Sequence, residues 1–158
     1  MASVAPTEQY DAIVIGSGQG GTPLARSLAA AGRRTALVER EHVGGTCINE
    51  GCTPTKTMVA SARVAYLTAR GADYGVRSGG TSVDLAAVRA RKRDIVASFR
   101  GGSQNRLTNT NGLDLIFGEA SFENPHTLRV RSDGASPRLL DGAQIFINTG
   151  GRPAALRP

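Results

Sequence analysis

The sequence predicts an α/β fold organised on a parallel sheet, and three observations carry that prediction. A short run rich in isoleucine and valine, Tyr10–Ile15, leads straight into Gly16-Ser17-Gly18-Gln19-Gly20-Gly21. An alanine-rich stretch follows from Thr22 to Ala31 and suits a helix. A second apolar run, Thr35–Val38, then ends on an acid, Glu39. Strands that are apolar throughout are buried on both faces, as in parallel sheets, whereas half-exposed strands alternate.

Taken in order, residues 1–9 read as a flexible leader and Tyr10–Ile15 as the first strand. Pro23 is tolerated because it falls in the first turn of the helix, where a missing N–H breaks no bond. Gly32 closes that helix. In the glycine turn, Gly16 permits the tight bend, Gly18 lets a pyrophosphate approach the backbone, and Gly21 lets the helix pack close to the strand. The helix N-terminus supplies N–H groups and a positive dipole for phosphates. Glu39 is placed to accept hydrogen bonds from an adenosine ribose. Strand, glycine turn, helix, strand and acid together make an adenine-dinucleotide site, and the pattern itself does not separate FAD from NAD.

The next stretch, Gly44-Gly45-Thr46-Cys47-Ile48-Asn49-Glu50-Gly51-Cys52-Thr53-Pro54-Thr55-Lys56, holds both cysteines of the sequence with four residues between them. A bridge closing so short a ring removes little chain entropy, so it stabilises a fold weakly and suits a pair that opens and closes. Thr53 is expected to cap a helix whose first residue is Pro54. Cys52 then precedes the positive end of that helix and Lys56 lies one turn inside, both favouring a thiolate. A metal half-site and two unpaired thiols are the alternatives. A zinc site needs about four ligands, and His42 and His126 make no ligand spacing with the pair. Neither histidine has an orienting partner that marks a catalytic base.

Downstream, Pro54–Arg70 reads as a helix with Met58, Ala62, Ala65 and Tyr66 on one side, and Gly71–Gly80 as a loop. Asp84 caps a further helix to about Phe99, with Leu85, Val88, Ile95, Val96 and Phe99 inward. Arg91-Lys92-Arg93 falls on its wet face. Gly101-Gly102 is expected to break the helix, with a short polar helix to Thr108. Strands are expected at Leu113–Phe117, Ser121-Phe122, Thr127–Val130 and Gln144–Ile147, the last running into Asn148-Thr149-Gly150-Gly151-Arg152-Pro153.

Composition bounds the function. A chain of 158 residues is the size of one domain, and a hydrophobic fraction of 40% supports a core. The net charge of +6 is spread along the chain, aromatics make up 4% and there is no tryptophan, which argues against nucleic-acid binding. No signal peptide or membrane span is visible, so a cytoplasmic protein without a membrane partner is expected. In a reducing compartment a close cysteine pair is more often catalytic than structural.

Together, Gly16–Gly21, Glu39, the Gly44–Lys56 motif and Thr149-Gly150 resemble the amino-terminal part of the flavin-dependent pyridine nucleotide–disulfide oxidoreductases, which include dihydrolipoamide dehydrogenase, glutathione reductase and mercuric reductase. The resemblance implies a Rossmann-like FAD-binding domain over residues 10–158, with a parallel sheet and a small added β segment, incomplete at its C-terminus. By that resemblance the backbone of Gly16, Ser17, Gly18, Gly20 and Gly21 holds the FAD pyrophosphate and Glu39 the adenosine ribose. Gly45 and Thr46 line the flavin and phosphate side of the disulfide. Lys56 lies near the flavin N5 region, Ala120 contacts the adenine through its backbone, and Thr149 and Gly150 pass close to the FAD again. Cys47 exchanges with substrate, while Cys52 stacks on the flavin as a charge-transfer thiolate.

The implied activity passes electrons from NAD(P)H through FAD to a Cys47–Cys52 disulfide, then to a small-molecule disulfide or Hg(II). Thr53-Pro54-Thr55-Lys56-Thr57 leans toward mercuric-reductase-like proteins, with dihydrolipoamide dehydrogenase as the alternative. Glu50 departs from the apolar residue many relatives carry. The resemblance also implies a fragment, inactive alone, of a longer protein that forms a homodimer and binds its nicotinamide nucleotide elsewhere. A rival reading is a small FAD-binding redox switch complete at this length. A plain NAD-binding domain leaves the Gly44–Lys56 motif unexplained.

Overall fold

The computed structural model describes residues 6–151 and 154. The first five residues of the expected leader, and Arg152 and Pro153 of the closing turn, lie outside them. The chain forms two compact units, one made of residues up to Gly45 together with those from Gly102 onward, the other of Thr46–Gly101. The stretch expected as one FAD-binding domain therefore contains an insertion that is compact in its own right.

The first unit is built on a six-stranded sheet. Its strands are β1 (Thr7–Ile15), β2 (Thr35–Glu39), β3 (Leu113–Phe117), β4 (Glu119–Phe122), β5 (Thr127–Arg131) and β6 (Arg138–Ile147), in the order β3-β2-β1-β6-β5-β4. β3, β2, β1 and β6 run parallel, and β5 and β4 add antiparallel as the small β segment. β1 starts three residues before the expected Tyr10, because Thr7, Glu8 and Gln9 pair with Leu139, Leu140 and Asp141 of β6. The same pairing extends β6 back to Arg138, six residues before the expected Gln144. A bidentate ion pair ties these extensions together, Arg138 Nε and Nη2 each donating to a Glu8 carboxylate oxygen at 2.7 Å.

The apolar strands separate two layers of core. Ile13, Ala36, Val38 and Ile116 pack on one face with Leu128, Val130 and Leu140 of the added strands. Val14, Leu37 and Leu113 face the other way, under Ala25 and Ala29 of helix α1 (Gly21–Ala30) and under Val43 and Leu107. Ile13, Leu37, Leu128 and Leu140 are fully buried, and each such side chain contributes about 1.5–3 kcal/mol. Gly32, with φ +80°, follows the end of α1, as expected.

The second unit contains most of α2 (Gly45–Asn49), then α3 (Cys52–Ala69), a 3-10 turn at Gly71–Tyr74 and the greater part of α4 (Leu85–Thr108). Three expectations are corrected here. Helix α3 begins at Cys52 with Gly51 as its N-cap residue, so Thr53 is not the cap and Pro54 is the third helical residue. Pro54 stays in the first turn, where its missing N–H has no intrahelical partner to lose. Gly101-Gly102 does not break α4, which runs through to Thr108 and absorbs the separate polar helix. Two helical glycines cost about 1 kcal/mol each, less than the rest of a 24-residue helix supplies. Asp84 does cap α4, its Oδ1 accepting from the Ala87 N–H at 3.0 Å.

The third correction concerns burial. Leu85 and Phe99, expected inward, are 59% and 55% exposed, whereas Val96 is buried. On α3, Met58 and Tyr66 are also exposed. Apolar residues run round more than one face of both helices, and a unit of two long helices has too little interior to cover them all. Among the described residues no helix is long and apolar enough to cross a membrane.

Candidate active site

Two groups of residues carry the expected chemistry, and each lies within one compact unit. The first surrounds the glycine turn between β1 and α1. Gly16 has φ +99°, a conformation that side chains rarely adopt, so the tight bend requires a glycine. A Cβ at Gly21 would collide with the carbonyl oxygen of Gly16, which fixes how closely α1 leaves the strand. A Cβ at Gly45 would come 2.8 Å from the Cα of Gly18, so the two glycines give each other room.

Asn148, which the sequence reading assigned no site role, closes this turn. Its Nδ2 donates to the Gly16 carbonyl at 3.2 Å, and its backbone N–H continues the sheet to Ile15 at 2.8 Å. A Cβ at Gly20 would meet its Oδ1 at 2.9 Å and one at Gly21 its Nδ2 at 2.7 Å. Its signal in the sequence was slight: a polar residue at the end of the last apolar run, next to Thr149-Gly150. Those two residues follow Asn148 and are exposed. Ala120 sits half-buried in β4, opposite Val130 of β5.

Ser17 is the polar hub of the turn and is fully buried. Its hydroxyl and backbone N–H both donate to Glu39 Oε2, the latter at 3.0 Å. The Gly44 N–H reaches the Ser17 Oγ at 3.2 Å and the Ser17 carbonyl at 3.1 Å. Glu39 Oε1 accepts from the Glu41 N–H at 2.8 Å. Burial alone pushes the Glu39 carboxyl upward. Hydrogen bonds from the Ser17 hydroxyl and the Glu41, Ser17 and His42 N–H groups outweigh it and hold the group below the usual carboxylate range.

These residues fit a dinucleotide. Helix α1 starts from Gly20 with no side-chain cap and has no acidic residue in its first turn. The Thr22 N–H is given to the Gly18 carbonyl at 3.1 Å and Pro23 has none, so what this end offers a pyrophosphate is its positive dipole, with no carboxylate to repel it. Glu39 already accepts from four donors, the Ser17 hydroxyl and the Ser17, Glu41 and His42 N–H groups, and a carboxylate offers about four acceptor sites. A ribose hydroxyl would therefore replace one of them, such as the Ser17 hydroxyl.

The second group is the cysteine pair. Both Cys47 and Cys52 are free thiols, Cys47 half-buried in α2 and Cys52 exposed as the first residue of α3. The turn joining them is folded on the Thr46 carbonyl, which accepts from the N–H groups of Glu50 at 2.9 Å and Gly51 at 2.7 Å. This turn places the two cysteines on either side of it, Cys47 in α2 and Cys52 at the start of α3. The bond to Cys52 pushes the Cys47 thiol up, burial and the Cys52 charge add to that, and the Cys52 N–H and Lys56 ammonium pull it back. Lys56 is the smallest of these influences, and the Cys47 thiol as a whole is held up. Thr46 and Glu50 are exposed. Thr57 is buried one turn further along α3, its hydroxyl donating to the Thr53 carbonyl at 2.8 Å.

His42 enters the first group only through its backbone N–H, which donates to Glu39, and His126 is held in the turn before β5, its N–H donating to Asn124 Oδ1 at 2.9 Å. Among the described residues no group of three or more His, Cys, Asp or Glu could hold a metal ion.

Comparison with known proteins gives a consistent pattern. The family model described as pyridine nucleotide-disulphide oxidoreductase matches residues 10–158. The chain is 34% identical to a dihydrolipoyl dehydrogenase of Chlamydia muridarum over 94% of its own length and 31% of that protein. It is 35% identical to a mercuric reductase of Bacillus cereus, over 92% of its length and 22% of the relative. Among solved structures, the Cu(II) complex of the HOCl-induced flavoprotein disulfide reductase RclA from Escherichia coli superposes with a TM-score of 0.80 at 35% identity. That match covers 95% of this chain and 30% of the other. The chain thus spans a third or less of the length of these relatives.

Proposed function

The chain belongs to the pyridine nucleotide-disulphide oxidoreductase family, and from that premise we propose that its protein passes electrons from NAD(P)H through FAD to the Cys47–Cys52 pair and on to a disulfide or a thiophilic metal ion. The observation that supports this reading is the pair of free thiols on either side of the turn folded on the Thr46 carbonyl, Cys47 in α2 and Cys52 as the first residue of α3. FAD, when bound, supplies the two-electron chemistry that links a nicotinamide to a disulfide. The chain's own residues bind and orient it.

In this proposal the backbone of Gly16–Gly21 and the uncapped end of α1 take the pyrophosphate, and Glu39 takes the adenosine ribose. Ala120, Thr149 and Gly150 contribute backbone contacts, while Gly45, Thr46 and Lys56 serve the flavin side. Cys47 is the exchanging thiol: it attacks one sulfur of the substrate disulfide, the other sulfur leaves as a thiol, and Cys52 then displaces the second product thiol by closing the disulfide. With a metal ion as acceptor, both thiolates ligate it before the electrons transfer.

Relatives named for different acceptors stand at 34% and 35% identity, so identity does not choose among them. The Thr53–Thr57 run favours Hg(II), and dihydrolipoamide is the other acceptor to test. The family resemblance supports a homodimer, which sedimentation of the whole protein tests directly. The deciding experiment follows NADH and NADPH oxidation by the whole flavin-loaded protein with Hg(II), lipoamide and glutathione disulfide in turn. At least one acceptor should support turnover in the wild type and none in Cys47→Ser. Turnover that survives in both Cys47→Ser and Cys52→Ser removes the pair from the reaction and sinks the proposal.

A further inference from the structure

Asn49 lies between the two cysteines, as the last residue of α2. Arg100, 51 residues further along in α4, donates from Nε to Asn49 Oδ1 at 2.8 Å. Both residues are half-buried and both belong to the Thr46–Gly101 unit. The bonds to the Thr46 carbonyl are local to the cysteine turn. The Arg100 bond instead anchors the turn to a separate helix.

We infer that Arg100 is a positioning residue for the Cys47–Cys52 pair. By fixing Asn49 it keeps α2 oriented so that Cys47 stays within reach of Cys52 when both are thiols. This rests on the redox reading of the pair proposed above. An untied turn samples more conformations, which lowers the effective concentration of one sulfur at the other and favours the open dithiol. The role belongs to the direction of the Nε–H as well as to charge, because arginine presents its donors in a rigid planar fork and lysine carries a mobile point charge.

The equilibrium that measures this is exchange with dithiothreitol. The Cys47 and Cys52 thiols lose two protons and two electrons and form one S–S bond. Oxidised dithiothreitol breaks its S–S bond and takes up the same two protons and two electrons. The test uses the whole flavin-loaded protein, equilibrated in a series of oxidised and reduced dithiothreitol ratios, acid-quenched and alkylated. Intact mass then reads the fraction of dithiol.

The variants are Arg100→Met, which keeps the apolar stem, Arg100→Lys and Asn49→Ala. Arg91→Gln is a control on the same helix, since Arg91 Nη1 donates to the Thr57 carbonyl at 3.1 Å and not to the cysteine turn. Arg100→Met, Arg100→Lys and Asn49→Ala should each shift the equilibrium toward dithiol by about tenfold, a potential about 30 mV less negative. Arg91→Gln should stay within about twofold of wild type. The inference is overturned if the three variants also stay within that margin, if Arg91→Gln shifts as far as they do, or if Arg100→Lys matches wild type. Should one variant fail to fold, the other two decide. A wild-type pair that forms no disulfide at any ratio refutes the redox reading itself, and the inference with it.

Discussion

Replacing Ser17 by alanine isolates the polar hub of the glycine turn. The substitution removes one hydroxyl that donates to the Glu39 carboxylate, at a residue with no solvent exposure. A hydrogen bond to a charged group is worth about 1.5–3 kcal/mol, and a buried group left short of a partner costs a similar amount. Glu39 keeps the Ser17 and Glu41 N–H groups, and the Gly44 N–H keeps the Ser17 carbonyl at 3.1 Å. The loss should therefore fall at the lower end of that range, about 1.5 kcal/mol at pH 7.

The pH dependence gives the prediction its sign. The Glu39 carboxyl is held below its usual value in the folded protein. Its contribution is therefore fully present above the unfolded value and is lost as pH falls through the folded value. Ser17→Ala weakens that hold, so the difference between variant and wild type should be largest near neutrality and shrink in acid. Urea unfolding of flavin-free protein at pH 7 and in steps down through the carboxylate range measures both quantities. A difference under about 0.5 kcal/mol at pH 7, within the range of an ordinary surface substitution, would refute the reasoning. So would one that stays constant with pH. A Ser17→Ala, Glu39→Gln cycle checks the pairing, since coupled residues give non-additive losses.

The neighbouring glycines should separate by what their Cβ would strike. Gly21→Ala meets backbone and should destabilise by about 3 kcal/mol, whereas Gly20→Ala meets the Asn148 side-chain amide, which can rotate, and should lose about 1 kcal/mol. Equal thermal shifts for the two would contradict this account. Gly101→Ala and Gly102→Ala lie in the helical run of α4 with nothing within 4 Å of the new methyl. Each should stabilise by about 0.5–1 kcal/mol, and a lowered melting temperature would count against a continuous helix there. Finally, Cys52→Ala removes the largest influence raising the Cys47 thiol. Alkylation of Cys47 by iodoacetamide at neutral pH should speed up, and an unchanged rate would deny that influence.

The Gly20–Gly21 pair shows how differently neighbouring residues read from sequence and from structure. Both glycines belong to a recognisable pattern, yet only Gly21 is fixed by the backbone it touches. The role of Asn148 was barely legible, because its partner Gly16 is 132 residues away and a single polar residue after an apolar run is a weak pattern. The same holds for Arg100, whose bond to Asn49 joins separate helices. The errors at Gly101-Gly102 and Thr53 have a different origin. Local preference is worth about 1 kcal/mol or less per residue, and it yields where a long helix or an alternative cap supplies more.

By itself the sequence determined what depends on neighbours along the chain. It determined the β1–glycine turn–α1–β2–acid order, the Asp84 cap and the cysteine pair with Lys56 one turn into α3. Each of these is set by backbone geometry and spacing over a few residues. Only the tertiary structure decided the strand order, the early start of β1 and β6, the face on which β4 and β5 pack, and the partners of Ser17, Asn148 and Arg100. Those follow from which apolar surfaces meet and which buried polar groups find one another, and burial is a property of residues far apart in sequence.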